Sequence, residues 1–230
     1  MAEPDFGSPR LRPLAGLGPD ELRVSELFAS LQGEGARSGL PTVFIRLTAC
    51  DLRCNYCDAA HAFAGGEILP LAEVVRRTRA TGMARACVTG GEPLLQSATP
   101  ALCAALLAAG MEVSIETHGG LPVDALPAAV ARVVDVKTPG SSEAASFLAD
   151  NLRVLNGRDE LKFVLSDRAD YEFARDFIVR HAPLPCPALF SPVPGRLEGG
   201  TLADWILADR LEVRLQIQLH KILWGGDTRR

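Results

Sequence analysis

The chain has 230 residues, 47% of them hydrophobic and 23% charged, which suits one sizeable domain with its own core and is ordinary for a soluble globular protein. A net charge of −4 supplies no broad basic surface for a nucleic-acid backbone, though a small acidic substrate still fits a locally basic site. The longest apolar run, ALCAALLAAGM at 101–111, is far too short to span a bilayer, so no membrane association is expected.

The N-terminal MAEPDFGSPRLRPLAGLGPDE carries Glu3 and Asp5 and lacks the apolar stretch of a signal peptide. It reads as a frayed or extended arm over 1–22, ahead of a single domain over 23–230 in a cytoplasmic protein. Short β-rich runs bounded by Gly, Pro and Asp follow at 42–48, 86–90, 112–117, 132–137, 160–166, 187–193 and 212–218. Helical periodicity fills 70–81, 96–109, 168–181 and 201–209, while 118–131 leaves room only for a short helix around Ala125–Ala131. Strands alternating with helices predict parallel βα units. The fold class is therefore α/β: a partial, condensed (β/α) barrel of six or seven mostly parallel strands with fewer helices.

In such folds the ligand site lies at the carboxyl ends of the strands. Polar and glycine-rich segments follow the predicted strands here: a cysteine loop after the first, GGEPLLQ after the second, then ETHGG, KTPGSSE and SPVPG. They predict one site on one rim.

The cysteine loop, TACDLRCNYCDAAHAF at 48–63, places Cys50, Cys54 and Cys57 in C-x3-C-x2-C spacing. Thiolates bind soft metals, and a short loop can wrap three of them around one compact centre. In the cytoplasm, cysteines favour metal or redox chemistry over disulfides. A four-iron cluster held by three thiolates keeps its fourth iron open. A zinc site completed by His61, or three thiols buried for packing alone, are the plainer alternatives. Cys87, Cys103 and Cys186 fall in strand or helix patterns and read as core residues. In TGGEPLLQ at 89–96, Gly90 and Gly91 allow a ligand close to the backbone, Glu92 offers an acceptor for an ammonium, and Pro93 suits the start of a helix. Alone, that segment reads as a strand-to-helix turn with a solvated glutamate.

The cysteine spacing on the loop after the first barrel strand, with GGEP some thirty residues later, resembles the radical S-adenosylmethionine superfamily. The resemblance implies that the open iron binds the amino and carboxylate groups of S-adenosylmethionine, whose one-electron cleavage yields a hydrogen-abstracting radical. The flanking segments SELFASLQGEG, PTVFIRLTACDLRCNYCD, DVKTPGSSE, LKFVLSDRADYEFA and RLQIQLHKILWG look like those of the 7-carboxy-7-deazaguanine synthases, from about Val24 to the C-terminus. That family contracts 6-carboxy-5,6,7,8-tetrahydropterin to 7-carboxy-7-deazaguanine with loss of ammonia, on the way to queuosine and related nucleosides. It is a lyase family that uses a [4Fe-4S] cluster, S-adenosylmethionine and Mg2+, draws electrons from a reducing partner such as flavodoxin or ferredoxin, and forms homodimers.

The resemblance assigns Gly90, Gly91, Glu92, Thr117, Lys137 and Ser142 to S-adenosylmethionine. It assigns Gln32, Glu34, Arg46, Glu116 and His220 to the pterin, carboxylates suiting its N–H donors and a guanidinium suiting its carboxylate. His220 and Lys221 read equally as surface or dimer residues. At Ala59 the chain departs from the family, which commonly carries a Mg2+-binding Thr or Ser there, so the ion would rely on substrate and water with Asp58 nearby. The rival readings are an activase of another protein, which LQGEG and LQIQLHK disfavour, and a non-catalytic iron–sulfur or zinc module.

Overall fold

A computed structural model describes residues 8–225. Nine strands form one sheet in the order β3-β1-β2-β4-β5-β6-β7-β8-β9. The strands are β1 (Glu21–Leu31), β2 (Pro41–Leu47), β3 (Glu67–Pro70), β4 (Arg85–Gly90), β5 (Glu112–Thr117), β6 (Ala131–Asp135), β7 (Glu160–Leu165), β8 (Ala188–Pro192) and β9 (Arg214–Leu215). From β2 through β9 every neighbour is parallel, and these seven strands are the seven expected runs. β1 and β3 add an antiparallel edge beside β2. The sheet is open, and the described residues hold more strands than α-helices, as expected.

Two strands escape the sequence reading. In β1 the alternation of Leu22 and Val24 is interrupted by a register shift between Val24 and Glu26, so the period of two breaks where it would be noticed. β3 is only four residues long. At the other edge β9 shortens from the expected 212–218 to two residues. Gln216 and Gln218 turn their amides to Gly35 and Glu34, which draws the chain off the sheet.

The helices α1 (Leu71–Ala80), α2 (Thr99–Ala108), α3 (Arg168–Arg180) and α4 (Gly199–Asp209) fall where the periodicity places them. α3 starts at Asp167, whose side chain accepts from the Asp170 N–H. The helix expected around Ala125–Ala131 is absent. Pro127 opens a turn closed by the Val130 N–H, and Ala131 already belongs to β6. A fifth helix, α5 (Leu219–Trp224), was not expected.

Side-chain alternation positions the site. In β7, Leu161, Phe163 and Leu165 are fully buried against the helices, while Lys162 and Val164 face the other way. The same holds for Ala86 and Val88 against Cys87 and Thr89 in β4, and for Val134 against Val133 and Asp135 in β6. One face carries the core with Leu102 and Leu106 of α2 and Tyr171 and Phe177 of α3. The other lines a single hollow.

Candidate active site

That hollow encloses about 430 Å³. Cys50, Cys54 and Cys57 line it from the loop after β2, as do Gly90 and Gly91 after β4. The loop is held from several sides. Gly91 N–H donates to the Leu47 carbonyl and Glu92 N–H to that of Ala49. The Arg53 guanidinium donates to the carbonyls of Cys50 and Leu52 and lies 4.1 Å from the centre of the Phe63 ring. Its backbone N–H meets the Glu143 carboxylate. The glycine at 91 is required by close approach, because a Cβ there would collide with the carbonyl of Ala49.

All six cysteines are free. Burial pushes the Cys50 thiol up to about 12 and raises those of Cys54 and Cys57. A soft metal would have to displace these protons. Three unpaired thiols on one pinned loop, lining a cavity with room for more than a metal ion, fit an iron–sulfur cluster that leaves a coordination position to a small molecule. His61 does not complete the set as a zinc ligand. Its Nε2 lies 2.6 Å from Glu26 Oε1, an ion-pair distance, and among the described residues the group that could hold an ion with Cys50 does not include it. The donors that do gather at Cys50 are Asp51 and His118. His118 Nε2 is 2.8 Å from Asp51 Oδ1, and its Nδ1 accepts from Gly120 N–H, which ties the end of β5 to the cysteine loop.

The Glu92 carboxylate is fully buried and accepts from Leu94 N–H, Thr117 Oγ1 and His118 N–H. It braces the end of β4 against β5, and the glycine backbone in front of it lines the cavity. Thr117 and Lys137 also line the cavity. Ser142 does not: it is exposed, and its hydroxyl accepts from the Asn55 amide.

The five residues expected at the pterin all line the same hollow. Gln32 donates to Glu116 and accepts from Glu34 N–H, and Thr89 donates to the other Glu116 oxygen. Glu34 is buried, 2.6 Å from Lys162 Nζ, and also accepts from Gln218. Arg46 Nε lies 3.8 Å from Glu26, beside the stacked rings of Phe28 and Phe44. His220 packs on Gly33, where any side chain would strike its Nδ1. Asp58 is 3.1 Å from Lys221 Nζ, and Ala59 presents only a methyl group.

The sequence reading missed Lys162, Asp135, His118, Tyr56 and Gln218, all of which line the cavity. A signal existed for Lys162. It alternates with Leu161 and Phe163 in a predicted central strand, where a lysine on the inner face needs a buried partner.

An open α/β sheet with three free thiols and a paired glycine at its carboxyl rim defines a radical S-adenosylmethionine protein. A family model described as the Radical SAM superfamily matches residues 44–140. The chain is 41% identical over 226 residues to a 7-carboxy-7-deazaguanine synthase of Koribacter versatilis, covering 90% of this chain and 99% of the relative. To the synthase of Chlorobaculum tepidum it is 42% identical over 212 residues, covering 90% and 96%. The crystal structure of QueE from Escherichia coli shares the fold, with a TM-score of 0.73 at 22% identity over 93% of this chain and 99% of that one. The chain belongs to the 7-carboxy-7-deazaguanine synthase family.

Proposed function

We propose that this enzyme converts 6-carboxy-5,6,7,8-tetrahydropterin to 7-carboxy-7-deazaguanine, releasing ammonia, in 7-deazapurine biosynthesis. One observation carries the reading. A single cavity joins the thiols of Cys50, Cys54 and Cys57 to a recess of Gln32, Glu34 and Glu116 with Arg46 and His220 at its wall. The three thiolates hold a [4Fe-4S] cluster. Held there with S-adenosylmethionine, and given one electron by a reductant, the cluster would supply hydrogen-abstracting radical chemistry.

The chain's own residues bind and orient. The Gly90–Gly91 backbone, Thr117 and Lys137 receive the methionyl and ribose portions, with Glu92 holding the glycines from behind and Ser142 at the outer margin. Glu34 and Glu116 accept from the N–H edge of the pterin, and Gln32 spaces them. Arg46 and His220 take its carboxylate, where a guanidinium offers a paired donor geometry that a lysine lacks. The walls of Phe28, Phe44 and Phe63 keep water from the ring.

Mg2+ would be held through the substrate carboxylate and water, with Asp58 nearby, since the Ala59 side chain has no oxygen to offer. We place the protein in the cytoplasm as a homodimer, to which the exposed Val179 and Leu207 on the outer helices contribute apolar surface, and as a single domain after residue 22. Its reductant is a flavodoxin- or ferredoxin-type carrier. Among the described residues no helix is long and apolar enough to cross a membrane.

Anaerobic incubation of the reconstituted protein with the carboxytetrahydropterin, S-adenosylmethionine and a reductant tests the reading. The deazaguanine chromophore and stoichiometric ammonia are expected. Cleavage of S-adenosylmethionine with the pterin left intact would overturn the substrate assignment.

A further inference from the structure

Four buried charges of alternating sign cross the floor of the cavity. Glu34 follows β1, Lys162 is on β7, Asp135 ends β6, and Lys137 lies two residues beyond. Lys162 Nζ is 2.6 Å from Glu34 Oε2 and 3.6 Å from Asp135 Oδ2, and Lys137 Nζ is 2.8 Å from Asp135 Oδ2. Two acids and two bases balance. Of the two lysines, Lys162 is the one that touches both acids.

A carboxylate that receives an N–H edge must be ionised, because its protonated form carries a donor of its own. Burial works against that charge at Glu34 and is the largest single influence. Lys162, and then the Gln218 amide, outweigh it and hold the Glu34 pKa below the usual carboxylate range. The other charges facing this group are mostly acidic: Asp58 on the cysteine loop, Glu116 on β5 across Gln32, and Asp135 on β6. His220 and Lys221 come from α5, and Lys221 is already paired with Asp58. Without Lys162, Glu34 would sit buried among three carboxylates and would take up a proton.

We propose that Lys162 is a positioning residue for the substrate, keeping Glu34 ionised and aimed at the N–H edge of the pterin. The inference rests on the reading that the 32–34 recess takes that edge.

The test is calorimetric titration of 6-carboxypterin into the cluster-loaded protein with S-adenosylmethionine, anaerobically, from about pH 6 to about pH 8.5, a range clear of ordinary carboxylate titration. The wild type supplies the baseline profile, including whatever His220 at the cavity wall contributes, and each variant is read as its ratio to the wild type at the same pH. Lys162→Met should weaken binding by about tenfold to a hundredfold near neutrality, the loss of a charge-assisted contact. It should recover as pH rises, because deprotonation of Glu34 restores the acceptor. Affinity for S-adenosylmethionine should change far less. Lys162→Arg should keep the wild-type profile. In a Glu34→Gln background, Lys162→Met should cost no further affinity, since a neutral amide needs no counter-charge. That pair carries the test should the single methionine variant fail to fold.

Unchanged binding in Lys162→Met, an equal weakening at every pH, or an additional loss in the Glu34→Gln background would overturn the assignment. If the wild type itself does not bind 6-carboxypterin, the reading of the recess fails first and this inference with it.

Discussion

Six free cysteines divide by what surrounds them. Cys103 and Cys186 lie in the hydrophobic core, where burial pushes each thiol up to about 12. Cys87 is fully buried beneath the cavity floor, with the Gln32 amide 3.6 Å from its sulfur. Only Cys50, Cys54 and Cys57 reach the cavity on a common loop. Cys54→Ala should therefore lose most of its iron and sulfide after anaerobic reconstitution, whereas Cys103→Ala should retain both. Elemental analysis of the two variants checks this, and the reverse pattern would refute the assignment. Ala59 bears on the proposed use of Mg2+. A threonine hydroxyl would add a hard oxygen ligand where a methyl group now stands. Turnover titrated with Mg2+ after chelation should saturate at high concentration in the wild type and at a lower concentration in Ala59→Thr. A flat wild-type titration, with full activity in chelator, would show that the enzyme works without the ion.

At the scale of elements, the joint between β4 and the cysteine loop is the tightest feature of the site. Gly91 lies so close to the Ala49 carbonyl that a methyl group cannot enter without moving the loop. Gly91→Ala should leave the sheet intact by circular dichroism but weaken S-adenosylmethionine binding by about tenfold or more, consistent with a displaced contact surface. Iron should also be lost faster to a chelator. A variant that binds and retains iron as the wild type does would show that the loop tolerates the shift. The behaviour of β1 has the same origin in local geometry. Glu26 pairs opposite Arg46 across the β1–β2 ladder just beyond the register shift, so the irregularity that hides the strand from a period-of-two search also places a carboxylate against the cavity-lining Arg46.

Across the whole molecule, buried charge makes stability depend on pH. Burial opposes ionisation of Glu34 and Asp135, but Lys162 with Gln218, and Lys137 with Lys162, overcome it and depress both pKa values. A carboxyl whose folded pKa is depressed contributes stability that is present above its unfolded pKa and is lost as pH falls through the folded value. Glu160 runs the opposite way: burial raises its pKa, so it favours the folded state as it takes up a proton. With the depressed groups dominant among the carboxyls, the urea midpoint should fall below about pH 4, where unfolded carboxylates begin to protonate. A midpoint that rises toward acid would show that Glu160-type burial governs instead.

The cysteine spacing, the glycine pair and the seven parallel strands were all legible from the chain alone, because each rests on local chemistry: thiols within eight positions, backbone freedom, and a period of two bounded by turn residues. The recess residues Gln32, Glu34, Arg46, Glu116 and His220 were legible as well, through a resemblance carried by contiguous motifs. What only the tertiary structure decided were relations between distant segments. It turned Glu92 inward onto Thr117 and His118, set Ser142 outside the cavity, paired His61 with Glu26, and joined Glu34 to Lys162 across 128 positions of chain. Such pairings depend on which strands become neighbours and which face each side chain takes, and a charge on a strand gives no local sign of the partner that will neutralise it.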